Sequence, residues 1–104
     1  MKNLAEQVAE LKRKEKEAYT RFDEARTKEV NAILKRLGDE TGCTSYIMMK
    51  AYEDAKKEGK ALTECDPVVL AYALVSKYPY ICKLCDKWYS LWSQLTIIEK
   101  SLKD

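Results

Sequence analysis

Histidine is absent from this 104-residue sequence, and glycine and proline are scarce. Without histidine the chain cannot form a histidine-based catalytic triad, a histidine general base or an imidazole metal site. Three glycines and two prolines provide too few turns for a β-protein of this length, so we expect a few long helices. The glycines are also too few and wrongly placed for a phosphate-binding loop. We therefore expect a protein that is not an enzyme and needs no cofactor.

Long apolar runs and a strong net charge are also missing. The longest uncharged runs, 67–76 and 88–98, are shorter than the roughly 20 residues of a membrane span. The first residues lack the apolar segment of a secretory signal. A net charge of +2 is too small to imply a polyanionic partner. If Met1 is the native start, we expect a cytoplasmic protein with reduced cysteines and no membrane association.

The apolar residues recur at helical spacing in four segments. Residues 3–37 predict one long amphipathic helix, and residues 45–58 predict a second helix. Residues 67–77 predict a short apolar helix, and residues 79–102 a longer one, each beginning at a proline. The predicted fold class is all-α: a small helical bundle with a long N-terminal amphipathic helix and a Pro-broken C-terminal helical pair, in a single domain over residues 1–104.

The last of these segments is expected to be the central helix of the core, because it contains both tryptophans and a wide apolar stripe. Each indole N–H then needs an acceptor or water. Asp66, which precedes the first proline, is the expected N-cap of the short helix. The stripe consists of Leu84, Trp88, Leu91, Leu95, Ile98 and Leu102, widened by Ile81, Cys85 and Trp92.

The first segment is too long for a compact chain of this size. About 35 helical residues extend about 52 Å, whereas a compact chain of 100 residues has a radius of gyration near 13 Å. Apolar pairs eleven residues apart argue against a strict left-handed coiled coil. The overhanging part needs a cover, which predicts a homodimer, a higher oligomer or a complex with another protein. The predicted partner-binding residues are Leu4, Val8, Leu11 and Tyr19 on this helix, and Tyr78 and Tyr80 in an aromatic corner near Pro79.

Basic residues in the first segment support an alternative, nucleic-acid binding. Lys12, Arg13, Lys14 and Lys16 are the predicted phosphate contacts. Acidic residues are interleaved with them at pairing distance, which is typical of a solvated helix surface.

The four cysteines support a third hypothesis, a zinc-stabilised bundle. Cys43, Cys65, Cys82 and Cys85 would supply four thiolates, although only the last two form a close pair. The same Cys-x-x-Cys pair at a helix N-terminus is compatible with thiol–disulfide exchange, but no strand is predicted before it. The alternative is that the cysteines are small apolar residues without ligands.

Taken together, these features predict a non-enzymatic protein–protein interaction module that self-associates, such as an adaptor, an assembly component or a small inhibitor. Its size and lack of histidine also fit a viral or mobile-element accessory protein. Binding of a small planar ligand between the last two helices is a further option.

Overall fold

The computed structural model describes residues 3–39 and 41–103. Within these ranges the chain forms four α-helices and a 3₁₀ turn, Leu62–Glu64, and it forms no β-strand. The all-α prediction, with its long first helix and Pro-broken C-terminal pair, is confirmed. Residues 1, 2, 40 and 104 of the predicted single domain lie outside the described residues. The helices are α1 (Leu4–Arg36), α2 (Ser45–Lys57), α3 (Pro67–Val75) and α4 (Pro79–Lys103).

Capping at both ends explains the bounds of α1. The Asn3 side chain accepts a 2.8 Å hydrogen bond from the N–H of Glu6, which pairs a donor that the helix leaves free. At the other end Gly38 has a φ of 93°, and the N–H of Asp39 donates to the carbonyl of Leu34 at 2.9 Å. This is a Schellman motif, which requires a left-handed residue and therefore favours glycine.

The two middle helices begin as predicted but differ at other points. The Thr44 hydroxyl accepts a 3.3 Å hydrogen bond from the N–H of Ile47 and caps α2. Asp66 is the N-cap of α3 and Pro67 its first helical residue, as predicted, but the Asp66 side chain makes no capping hydrogen bond. A turn at Ser76 and Lys77 ends α3 two residues early, and the axis bends by 76° between α3 and α4.

The core is centred on α1 rather than on α4. Phe22, Val30 and Leu34 of α1 are buried, and α1 packs against both α3 and α4. Ile81 and Leu95 are buried in α4, but Leu102 of the predicted stripe is exposed. The central position predicted for the last helix is therefore wrong, because α4 has neighbours on one side only for much of its length. The main cluster contains Phe22, Val30, Leu34, Met48, Ala71, Val75 and Ile81.

The first half of α1 and the second half of α4 form an antiparallel pair that extends beyond the other helices. Lys12 pairs with Glu99 at 3.6 Å, and Glu15 accepts from Trp88, so residue numbers rise along one helix as they fall along the other. We call residues 4–19 and 88–103 the arm, and the remaining helical residues the head. The chain measures 54 × 26 × 23 Å, with a radius of gyration of 17.1 Å.

This pairing changes the explanation of the overhang. The first helix does extend past the head as one continuous rod, but α4 covers part of it. Val8 and Leu11 are partly buried, whereas Leu4 at the tip is 51% exposed.

Among the described residues no single helix is long and apolar enough to span a membrane. By length and composition, α3 and α4 together reach that threshold, as a bent pair.

Candidate protein-binding surface

Aromatic side chains cluster where the arm meets the head. The Trp88 ring lies 5.2 Å from Tyr19 and 6.4 Å from Trp92, measured between ring centroids, and Tyr89 lies 5.6 Å from Trp92. The inner members are partly buried, but Tyr89 is 57% exposed and Trp92 43% exposed. Since large aromatic side chains contribute much apolar area at interfaces, the outer pair forms a candidate docking surface.

A groove lies at the tip of the arm, about three helical turns along α4 from Trp92. Glu99 follows Trp92 by seven residues, or two helical turns, and therefore shares its face of α4. Lys12, the ion-pair partner of Glu99, lines a groove of about 380 Å³ together with Leu4 and Leu102. We call this side of the arm, from Tyr89 and Trp92 to the tip groove, the aromatic flank.

The head helices do not extend over this flank. In the part of the chain that the structure describes, the side-chain hydrogen bonds from α2, α3 and the loop before α2 reach α1 from Asp23 onward. Ser45 of α2 donates to Asp23, Tyr72 of α3 accepts from Arg26 at 3.2 Å, and Cys43 of the loop joins Asn31 at 2.7 and 3.0 Å. The first half of α1 instead bonds to α4. The arm is thus a two-helix layer attached to a four-helix head.

The predicted partner-binding residues do not form one surface. Leu4 lies at the tip groove, and Tyr19 belongs to the aromatic cluster, where it also packs against the core. Tyr78 and Tyr80 lie at the opposite end of α4, with ring centroids 6.4 Å apart. The Tyr89–Trp92 pair was missed because the apolar stripe placed Trp92 in the core.

Within the tyrosine corner, Tyr80 lies near Glu29 of α1. Hydrogen bonding to the Glu29 carboxylate, with some burial, raises the pKa of Tyr80 to about 12, since a nearby negative charge opposes formation of the phenolate. Tyr78 is partly buried and packs against the core. The Tyr80 side chain nevertheless remains 46% exposed, about as much as that of Trp92.

The predicted phosphate contacts are mostly paired with carboxylates. Lys12 binds Glu99 on α4 at 3.6 Å. Two further pairs lie within α1, between Arg13 and Glu17 at 2.8 Å and between Lys14 and Glu10 at 3.6 Å. Lys16 lines an open depression of about 440 Å³ with Arg13 and Arg21, and Glu17 also contributes to it. Exposed pairs of this kind dilute the positive field of the helix.

The four cysteines are free thiols: Cys82 and Cys85 lie one turn apart in α4, whereas Cys43 and Cys65 lie in two different loops. Among the described residues no three His, Cys, Asp or Glu side chains come close enough to hold a metal ion, so the four-thiolate site expected from sequence is not formed. Burial is the main cause that raises the pKa of both Cys43 and Cys85. Cys43 contacts Asn31, Cys65 donates to the carbonyl of Ala61, and Cys82 to that of Ser76.

Sequence reasoning also missed a buried arginine in the head. Arg26 is only 4% exposed, and its guanidinium lies 4.5 Å from the Phe22 ring centroid and 5.3 Å from that of Tyr72. Its Nη2 pairs with Asp23 at 3.1 Å, and its Nη1 donates to the Tyr72 hydroxyl at 3.2 Å. Burial is the main cause of a raised Tyr72 pKa, which Arg26 partly offsets. Arg26 lies four residues from Phe22 and from Val30, within an apolar stripe. That spacing was the signal in the sequence that could have predicted its burial.

Chemically, the aromatic flank offers two exposed rings, a groove and an ion pair, a combination typical of helix-packing surfaces. No known protein family, curated protein or solved structure matches this chain.

Proposed function

We propose that this protein is a non-enzymatic protein–protein interaction module that self-associates through the aromatic flank of its arm. The observation that supports this proposal is the exposure of Tyr89 and Trp92, at 57% and 43%, on the part of α4 that belongs to the arm. Removing apolar area from water contributes roughly 25 cal/mol per Å², so covering this flank favours association.

A second copy is the occupant that best fits the shape of the arm. Two helices alone bury one seam and leave their flanks in water, whereas two such pairs form a four-helix bundle with a shared core. A two-fold axis places the same surface on both sides of the interface. The flank carries Lys12 and Glu99, one charge of each sign. A two-fold arrangement can therefore bring the cation of one copy toward the anion of the other.

The test measures the mass in solution of wild type and two matched variants by light scattering over a range of concentrations. Wild type is expected to approach twice the chain mass as the concentration rises. Trp92→Lys places a charge in the interface and should keep the protein monomeric. Ile97→Lys is the control, because Ile97 is also exposed on α4, at 66%, but lies five residues from Trp92 and on another face. It should associate like wild type.

Two outcomes would contradict the proposal: a wild-type mass that stays at one chain at every concentration, or equal effects of the two substitutions. Circular dichroism of both variants is needed to establish that each retains its helices. The adaptor, assembly and inhibitor roles expected from sequence are specific forms of this same proposal.

Nucleic-acid binding remains a second proposal, supported by the depression that Arg13, Lys16 and Arg21 share. The same light-scattering series in low and high salt, with and without a nucleic acid, distinguishes the two. Binding through phosphates weakens steeply as salt rises, whereas apolar self-association does not. Lys16→Glu should then abolish nucleic-acid binding and leave the dimer intact.

A further inference from the structure

A cavity of about 330 Å³ opens between α1, α3 and the first half of α4, within the head. Phe22, Tyr72 and Trp88 supply aromatic walls, and Cys82 and Cys85 also line it. Small-molecule sites measure about 300–1,000 Å³ and are mostly apolar with a few polar groups, so this cavity is at the lower end of their range. Its size suits a compact ligand of one or two fused rings.

The buried guanidinium of Arg26 provides the polar group of this cavity. Its observed hydrogen bonds use three of its five N–H groups: one on Nη1 to Tyr72, and two on Nη2, to Asp23 and to the sulfur of Met49 at 3.4 Å. The Nε–H is buried and has no acceptor among the described residues. A buried donor without an acceptor is unfavourable, and a ligand oxygen that shifts the guanidinium slightly would relieve that cost.

The charges around the cavity favour a neutral ligand over an anion. Asp23 already opposes the charge of Arg26, at 3.1 Å. Asp86 also lines the cavity and adds a second carboxylate. An anion would therefore face two negative charges and one positive charge, whereas a carbonyl oxygen accepts from the guanidinium without that repulsion. The N–H of an amide can in turn donate toward Asp86.

We propose that this cavity binds a neutral, planar aromatic lactam or amide, whose ring lies between the aromatic walls and whose carbonyl accepts from Arg26. This site is separate from the aromatic flank, and it does not depend on self-association. Trp88 lines the cavity and its ring lies 6.4 Å from that of Trp92, but Trp92, which belongs to the flank, does not line the cavity.

Three probes of similar ring size test the ligand class: isoquinolone, naphthalene and naphthoate. Binding to the full chain is followed by NMR shifts of the Trp88 indole and of the backbone amides at Cys82 and Cys85. Isoquinolone is expected to cause saturable shifts there and to bind roughly tenfold more tightly than either other probe, the effect of satisfying one buried donor. No saturable shift with isoquinolone, equal binding of naphthalene, or tighter binding of naphthoate would each overturn the proposal.

Two variants test the role of the residues. Arg26→Met keeps the volume but removes the donors, and should reduce isoquinolone affinity roughly tenfold, to that of naphthalene. If Arg26→Met does not fold, Cys82→Trp tests the proposal instead. Cys82 is exposed, and a large ring at this position blocks the cavity. Unchanged isoquinolone binding in either folded variant would contradict the proposal.

Thiol labelling gives an independent readout. Saturating isoquinolone should slow the alkylation of Cys85 by iodoacetamide and leave that of Cys65, which does not line the cavity, unchanged. Equal rates at Cys85 with and without isoquinolone would contradict the proposal. Trp92→Lys should bind isoquinolone like wild type, so failure of the dimer and failure of the ligand site give distinguishable results.

Discussion

The indole Nε1 of Trp88 donates a 2.8 Å hydrogen bond to Oε1 of Glu15, which joins residues 73 positions apart. The bond lies where the arm meets the head. On its other side the indole stacks on Phe22, with ring centroids 6.3 Å apart. These contacts fix the rotation of α4 about its axis relative to α1. That rotation determines which side of α4 faces solvent, and therefore leaves Trp92 on the exposed flank.

The first prediction concerns this bond. Glu15→Leu should destabilise the fold by about 1–2 kcal/mol, because a partly buried indole N–H then lacks its charged acceptor. Glu15→Gln keeps a carbonyl acceptor and should cost about half as much. The free energy of unfolding is measured by urea denaturation. Glu17→Leu is the control, since its exposed pair with Arg13 contributes only about 0–1 kcal/mol. Equal losses for Glu15→Leu and Glu17→Leu would contradict the prediction.

The second prediction concerns the buried ion pair. Arg26→Ala removes the hydrogen bonds and the stacking on Phe22 and leaves a void, so we expect a loss of about 3–4 kcal/mol. Arg26→Met fills most of the volume and should cost about 1–2 kcal/mol less than Arg26→Ala, although both substitutions leave Asp23 without its cation. Urea denaturation of both variants tests this difference. If the two substitutions lower the free energy of unfolding equally, the loss of the charge accounts for the effect and the loss of packing does not.

The helices could be predicted because their signals are local. Apolar spacing, prolines at the first turns of α3 and α4 and a glycine after α1 each act within a few residues. Gly38 ends the first helix as expected, and Pro79 begins the last. The missing side-chain bond at Asp66 shows the limit of such signals, since the residue type favours a capping bond but does not fix the side-chain rotamer that makes it.

The candidate surface was harder to predict, because it depends on the arrangement of whole helices. Trp88 and Trp92 both fit an apolar stripe, and the sequence contains nothing that specifies which of them another helix covers. In the fold, Trp88 contacts Tyr19 and Phe22 on α1, while Trp92 is 43% exposed. Leu11 was expected to need a partner chain, but α4 returns along α1 and covers part of it. A single sequence does not show which faces of α1 and α4, two segments far apart along the chain, lie against each other.

A third prediction tests the end of α1. Gly38 has a φ of 93°, and a Cβ added there would meet no heavy atom within 4 Å. The cost of Gly38→Ala is therefore conformational, about 1 kcal/mol, and Gly38→Asn should cost less because asparagine tolerates the left-handed region better. Urea denaturation measures both. Lys35→Ala, in the preceding turn, is the control and should change stability by less than about 0.5 kcal/mol. A Gly38→Ala variant as stable as wild type would contradict the left-handed conformation.

The last prediction concerns the ionisation of Tyr80. Hydrogen bonding to the Glu29 carboxylate, with some burial, raises the pKa of Tyr80 from its ordinary value of 10.0 to about 12 in the folded protein. The folded state then holds the phenolic proton more tightly than the unfolded state does. The contribution to stability is therefore fully present below about pH 10 and is lost as the pH rises toward about 12.

Ultraviolet titration of tyrosinate tests it, with Tyr80→Phe subtracted from wild type to isolate this one residue. The difference curve should have its midpoint near pH 12. In Glu29→Gln, compared with its own Tyr80→Phe double variant, the midpoint should move back toward the ordinary value, because the amide no longer places a negative charge beside the phenolate. A wild-type midpoint near pH 10 would mean that Tyr80 does not bind Glu29 in solution. The corner at Pro79 would then have a free tyrosine, and it would again be a candidate for binding a partner.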